Sequence, residues 1–513
     1  MTVAYAAFVV ICLVPVAYML GSALAELPRL AAGTLSDARQ RLLLLNSVAI
    51  GVGTAVLATL VGMPLGFILA RGQLALTPLL RIGLAAPAVL PPYVVALAWI
   101  GLPAALRLTD ARSPFGWTYS IAGVVIVLAA VSFPIPMLVT EVALRRVDGR
   151  LEDAAILVAS PRRTLSRVTL PLVAPAIVSA SLIVLVLAMS DFAVPGLLRV
   201  RVFTTEVFTA FAALYDFGRA TALALPLVLI GSVCAVMAVL LARGRVAGSG
   251  ATPRPSALTF ARLRPLSLAA IVSAMATTLV CPVFVLALDA VRTTTPGDVV
   301  RGSAMAIVNT LVLAASGASV VTALAALLGY ARSRSYGAAG VALDALCVAL
   351  FCVPSTVVGV GLIAVWNRAD APPIYGTAAM VVFGYVARLL PVSALIIGAV
   401  MQTIPRSHEE AAATAGATWG RAMLSVLVPQ ARTALIATWV FAFVLAAGEV
   451  GTTILVAPPG ESTLPIRAFT LVANAPPGQL SILALLQAAV VLIPLVVVGT
   501  VVARSERLWP QRS

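Results

Sequence analysis

About twelve runs of roughly 18 or more apolar residues, joined by short polar links, constrain this chain more than any other feature. In hydrocarbon a backbone must satisfy its own polar groups, and a helix does so within one segment. Each run therefore reads as a transmembrane helix. Approximate spans are 3–25, 44–70, 78–106, 118–141, 168–190, 220–243, 266–290, 303–331, 341–366, 373–402, 428–448 and 478–503. The 513 residues are 61% hydrophobic and only 10% charged, which leaves no soluble domain of useful size. The expected fold is an all-α polytopic membrane protein whose core is solvated by lipid.

The formal net charge is +15, and all 34 basic residues are arginine. A basic balance can signal nucleic acid, but here the arginines lie in short loops between apolar runs, where they report topology instead. Twelve spans put both termini on one side, and Arg504, Arg507 and Arg512 in the tail assign that side to the cytoplasm. The loops this places inside carry most of the arginines, while Arg388 falls within a span. The first span, Val3–Leu20, has no basic leader and no obvious cleavage site, so it reads as a retained helix. The five cysteines all fall in apolar runs without metal-site spacing, and no disulfide is expected. The single histidine, His408, reads as a solvated loop side chain.

The chain is internally repeated. Asn46-Ser47 matches Asn309-Thr310 and Pro91 matches Pro354, at an offset of 263. Tyr119 matches Tyr375 at 256, and Glu152-Asp153-Ala154-Ala155 matches Glu409-Glu410-Ala411-Ala412 at 257. Pro171 with Pro429, Asp191 with Glu449, and Ala210-Phe211 with Ala468-Phe469 follow at 258. The Gly/Pro/Ser-rich basic stretch 244–264 reads as a cytoplasmic linker between a first repeat, 1–243, and a second, 265–513. Equal orientation of the halves implies a pseudo-two-fold axis along the membrane normal, with a path on the axis lined by equivalent helices.

Between the fourth and fifth spans of each half lies a polar helical stretch, Glu152–Pro171 and Glu409–Pro429. In the second copy Ala411, Ala412 and Ala415 make a small helix-favouring face. Gly416 lets the chain turn, and a second short helix is expected to end at Pro429, where the next span begins. Such a helix–turn–helix fits a groove in a partner, with Glu409, Glu410 and Arg421 setting register. The first copy is one residue short and lacks the glycine; Pro161 is the candidate for its break. One deletion rotates the rest of a helix by about 100°.

This pattern, its place in each half and its repetition resemble the EAA loop of the permeases of ABC importers. The segments LPPYVVALAW at 90–99, SDF at 190–192, FTTEVF at 203–208, GYVARLLP at 384–391 and GEVGTTILVAPPG at 448–460 resemble the fused permeases of ferric-iron importers. Thiamine, aminoethylphosphonate, sulfate and polyamine permeases share much of this background. The resemblance implies two six-helix repeats of the type I (MetI-like) kind in a bacterial inner membrane. It implies two copies of an ATPase subunit, docked through Glu152, Asp153, Ala154, Ala155 and Pro171 and through Glu409, Glu410, Ala411, Ala412, Gly416 and Pro429. It also implies an extracytoplasmic binding protein that delivers the cargo.

The chain has no lysine, so no phosphate-binding Gly–Lys–Ser/Thr loop exists in it. No catalytic residue and no cofactor are expected in this chain; ATP would be bound by the partner subunit. Asp191 and Glu449 stand near the outer ends of the fifth spans, where a carboxylate either lines a polar path or caps and packs the segments that follow. Hard oxygen ligands suit a hard trivalent cation. Arg388, near a helix end at Pro391, is expected either to pair with an acid of the other half or to balance backbone carbonyls. Pro91-Pro92 and Pro354 are expected to kink their helices. Two other classes compete: an ion-coupled secondary transporter, which needs its own ion site near the midplane, and a structural or receptor membrane protein.

Overall fold

The computed structural model describes residues 2–25, 38–72, 74, 76–105, 116–243, 264–292, 296–335, 337–370, 372–472 and 474–508. Except for Arg264, the linker expected at 244–264 lies outside them. Among the described residues the fold is all helix and turn, with no strand. Eight helices are long and apolar enough to cross a membrane, or up to twelve if each of four bent pairs is one span. In chain order these are α1 (Thr2–Ser22), α2 (Ala38–Arg71), the pair α3 (Thr77–Val89) and α4 (Pro92–Pro103), and the pair α5 (Ile121–Ser132) and α6 (Pro134–Arg146). The polar α7 (Gly149–Val158) leads into α8 (Pro161–Ser190) and α9 (Phe217–Leu241). The second half has α10 (Arg264–Val291), α11 (Ala304–Arg334), the pair α12 (Gly340–Phe351) and α13 (Ser355–Trp366), and α14 (Ala378–Met401). The polar α15 (Ser407–Thr414), the pair α16 (Trp419–Gln430) and α17 (Arg432–Ala447), and α18 (Gly478–Val497) complete it.

The prolines act more strongly than kinks. α3 and α4 meet at 87°, and α12 and α13 at 98°, so the spans expected at 78–106 and 341–366 are each two helices at a sharp corner. Proline has no N–H, and it forces the residue before it out of the helical region. Leu90 and Pro354 are extended at the two corners. Elsewhere proline is absorbed. Pro15, Pro171, Pro282 and Pro429 each follow a wide turn, at Phe8–Leu13, Leu165–Thr169, Ala276–Val280 and Met423–Leu427. A turn bonded five residues apart accommodates the ring and the missing donor.

The two halves make the same tertiary hydrogen bonds. Asn46 Nδ2 donates to Arg201 O at 3.0 Å, and Asn309 Nδ2 to Ser462 O at 3.3 Å. Phe203 N–H donates to Ser47 Oγ at 3.0 Å, and Leu464 N–H to Thr310 Oγ1 at 2.8 Å. Glycines at matched positions bring the same helices close. A Cβ on Gly66 would overlap the main chain of α6 at Met137, and one on Gly329 would lie 2.8 Å from Gly398 N of α14.

Each half lends its first helix to the other. α1 packs on α13 of the second half, with Pro15 and Met19 against Gly361. α10 packs on α4 of the first half, with Cys281, Pro282 and Val285 against Ala98, Trp99 and Leu102. The buried apolar side chains accordingly form cores that mix both halves. Phe8, Met19, Phe203 and Leu223 share one with Val360 and Tyr385, and Leu90, Val127 and Phe192 share another with Leu286, Leu464 and Leu483.

Candidate functional site

Two regions gather the polar groups singled out in the sequence. The first is a face of the bundle carrying both polar helix–turn–helix segments. α2 ends at Arg71, whose guanidinium donates to Leu144 O at 3.2 Å and to Glu152 Oε2 at 3.0 Å. The ends of α2 and α6 and the start of α7 therefore share one face. α8 leaves that face and finishes at the opposite one, where Phe192 stacks on Phe469 with ring centroids 5.1 Å apart. The segment Leu464–Leu471, which contains Phe469, is bonded to the start of α11 through Thr310. α11 thus begins at the far face and returns, and Arg334 at its end forms an ion pair with Glu409 of α15. Both polar segments lie on the same face of the molecule, each clasped to the end of the second helix of its half by an arginine–glutamate pair.

Those pairs change the role expected of the glutamates. Glu152 is fully buried, held by Arg71 and by Thr169 Oγ1, which donates to it at 2.7 Å. Glu409 accepts from Arg334 and, at 2.8 Å, from Tyr330 O–H. Glu152 is closed off from solvent and Glu409 is partly exposed; both tie the polar helix to the membrane helices beneath it. The surface left outward carries Asp153 and Ala154 on α7 and Glu410, Ala411, Gly416 and Arg421 on the second copy, with Ala155 and Ala412 half-buried at its edge. Arg71, Arg334 and Tyr330 were not picked out from the sequence. Arg71 and Arg334 stand at the offset of 263 that relates Asn46 to Asn309, so the repeat itself held that signal.

The turns differ as their residues require. Gly416 has φ +82°, the left-handed region that suits glycine. Ala417 N–H returns to Ala412 O at 2.9 Å and Gly416 N–H to Ala413 O at 2.9 Å, closing α15 with a Schellman turn. In the first copy Ala159 and Ser160 are extended and Pro161 opens the next helix, so the proline makes the break. After the break the copies diverge again. α8 runs through the exposed Pro171 into the membrane without a corner, whereas α16 meets α17 at 79° just after the exposed Pro429, where a helix end was expected.

The second region lies where the halves meet. Arg388 of α14 reaches Glu449 with Nε 3.2 Å from Oε2. Its partner is the acid of its own half, and neither the other half nor a carbonyl fills that role. Glu449 Oε1 accepts from Thr452 N–H at 3.0 Å, and Asp191 Oδ1 from Val194 N–H at 2.8 Å. Both carboxylates therefore cap the short segments that follow α17 and α8. Asp191 also lies in the field of Arg388 and Glu449. The corners of the broken helices frame this cluster from both sides. Ser190 Oγ donates to Cys352 O at 3.4 Å, Thr452 Oγ1 to Ser355 O at 2.8 Å, and Gly448 packs against Pro91. Glu206, on the helix Phe203–Ala212, is paired with Arg39 at 3.0 Å and Arg219 at 3.7 Å.

The described residues thus form a helical bundle with four bent helix pairs and two matched arginine–glutamate clasps on one face. Residues 318–505 match the family described as binding-protein-dependent transport system inner membrane component. Over 391 residues it is 25% identical to a Haemophilus influenzae protein assigned as a ferric transport system permease, covering 70% of this chain and 61% of the relative. A ferric transport system permease protein of Actinobacillus pleuropneumoniae is 24% identical over 389 residues, 70% of this chain and 56% of the relative. A molybdenum transport system permease protein of Mycobacterium tuberculosis is 33% identical over 153 residues, 29% of this chain and 58% of the relative. The chain thus spans less than two thirds of the length of each of these relatives.

Proposed function

We propose that this chain is the membrane-spanning permease of an ABC importer, with repeats at 1–243 and 265–513 joined by a linker at 244–264. Two copies of an ATPase subunit dock from the cytoplasm, one on each polar helix–turn–helix. The observation that carries this reading is the pair of clasps, Arg71–Glu152 and Arg334–Glu409, which hold two equivalent outward-facing helices on one face of the molecule. No ATP-binding loop is available in the chain, so energy enters through these helices. Closure of the ATPase pair draws them together, and the clasps pass that displacement to α2 and α11. The repeats then rock between inward-open and outward-open arrangements around the seam. Both termini are cytoplasmic, and an extracytoplasmic binding protein delivers the cargo to the far face.

Ferric iron is the first choice of cargo, supported by the ferric permease relatives that align with 70% of the chain. Molybdate is the second reading, favoured by the higher identity of the shorter match to the mycobacterial permease. Purification of the tagged chain with the ATPase encoded beside it tests the docking. Glu410→Arg or Gly416→Asp is expected to abolish co-purification while leaving the permease folded. Cargo uptake by vesicles that contain this chain and no ATPase would overturn the reading in favour of an ion-coupled transporter.

A further inference from the structure

We infer that Asp191, Arg388 and Glu449 form a charge gate across the seam of the two repeats, whose one unbalanced negative charge admits a cationic cargo and rejects an oxyanion. The inference rests on the permease reading and adds to it the class of cargo. Its basis is an asymmetry between halves that otherwise match. Pro134 corresponds to Pro391 at an offset of 257, so the first repeat has Val131 where the second has Arg388. The acids Asp191 and Glu449 are both kept, but only one arginine is present to meet them.

That arginine is committed to Glu449, at 3.2 Å, and among the described residues Asp191 forms no ion pair with a residue of its own half. The charged side chains of Arg388 and Glu449 both act on Asp191. Arg388 Nη1 is buried without a hydrogen-bond partner, so the guanidinium has a donor to spare as the repeats move. The cluster sits between the corners of the broken helices: Ser190 is bonded to Cys352 at one, and Gly448 packs on Pro91 at the other.

Rocking of the repeats carries Asp191, just beyond α8, and Glu449, beyond α17, apart, because they belong to different halves. A hard cation entering the opened seam meets two carboxylates and one guanidinium, a net attraction. An oxyanion meets the same two carboxylates and is repelled.

The test uses the permease–ATPase complex with its binding protein in vesicles, offered labelled ferric ion or labelled molybdate. Wild type is expected to carry ferric ion and not molybdate. Asp191→Asn is expected to lower ferric uptake roughly tenfold, and Asp191→Glu to restore most of it. The amount of ATPase that co-purifies shows that each variant is assembled. Molybdate uptake by wild type, uptake of neither ion by an assembled complex, or ferric uptake by Asp191→Asn at the wild-type rate would each overturn the gate and leave the permease reading standing. Failure of wild type to hold any ATPase would overturn both.

Discussion

The two polar helix–turn–helix segments are copies of one device, built to different stiffness. In the first, Glu152 is sealed from solvent, the turn is an extended Ala159-Ser160-Pro161, and α8 continues without a corner to the far face. In the second, Glu409 is partly exposed, the turn is a glycine in the left-handed region, and α16 meets α17 at 79°. A force on the first segment travels along one continuous helix, whereas the same force on the second must pass a corner. The halves therefore deliver unequal motions to the seam. Equivalent sequence positions do not guarantee equivalent mechanics, because one glycine or one proline corner resets the lever.

The largest expected effect separates the two clasps. Arg71→Ala leaves Glu152 buried and charged, at a cost of about 3–5 kcal/mol. Arg334→Ala leaves Glu409 with Tyr330 and some water, and loses about 1.5–3 kcal/mol, typical of hydrogen bonds to a charged group. Thermal unfolding of the purified chain in detergent compares them, and equal losses would mean the first clasp is no tighter than the second.

Next come the close helix approaches. Gly66→Ala forces a methyl into the main chain of α6 and Gly329→Ala into that of α14, each by overpacking worth about 1–3 kcal/mol. Gly66 has the tighter contact, so its variant should melt at the lower temperature.

The turn itself is a smaller matter for stability. Gly416→Ala places a side chain at φ +82°, costing about 1–2 kcal/mol. It should loosen ATPase retention at the second segment, and Ser160→Ala at the first should not. Retention unaffected by the glycine change would show that the second turn needs no left-handed residue.

The smallest change in stability, and the sharpest probe of the difference, is at Leu157 and Val158. They are 87% and 89% exposed on α7, where the second copy has Thr414 and Ala415. Leu157→Ser should change stability by no more than about 0.5 kcal/mol. It should reduce ATPase binding measurably if the first segment replaces the missing glycine turn with apolar contact, and unaltered binding would remove that role.

Much of the fold was legible because its signals are local. Hydropathy marked the spans, and the recurrence of Asn46 at Asn309 and of Pro91 at Pro354 exposed the repeat. The glycine of the second turn was read correctly because a Schellman turn announces itself within six residues. Pro171 breaks nothing, because a wide turn upstream absorbs a proline that would otherwise end the helix. Glu152 and Glu409 were read as contact residues because a short acidic run looks outward in sequence, and their arginines lie 81 and 75 residues away. Arg388 was assigned the wrong partner for the same reason.

By itself the sequence determined that this chain is all helix with many apolar spans, and that it carries two similar polar segments, 152–171 and 409–429. Those features depend on the hydrophobicity and turn chemistry of neighbouring residues, which no distant contact can reverse. Only the tertiary structure decided that each half lends its first helix to the other, and that the third spans turn sharp corners at the seam. It also decided that Glu152 and Glu409 are clasped by arginines and that Asp191 and Glu449 cap the segments after them. Each of these rests on partners far apart along the chain, whose meeting depends on how helices pack and not on what either helix is made of.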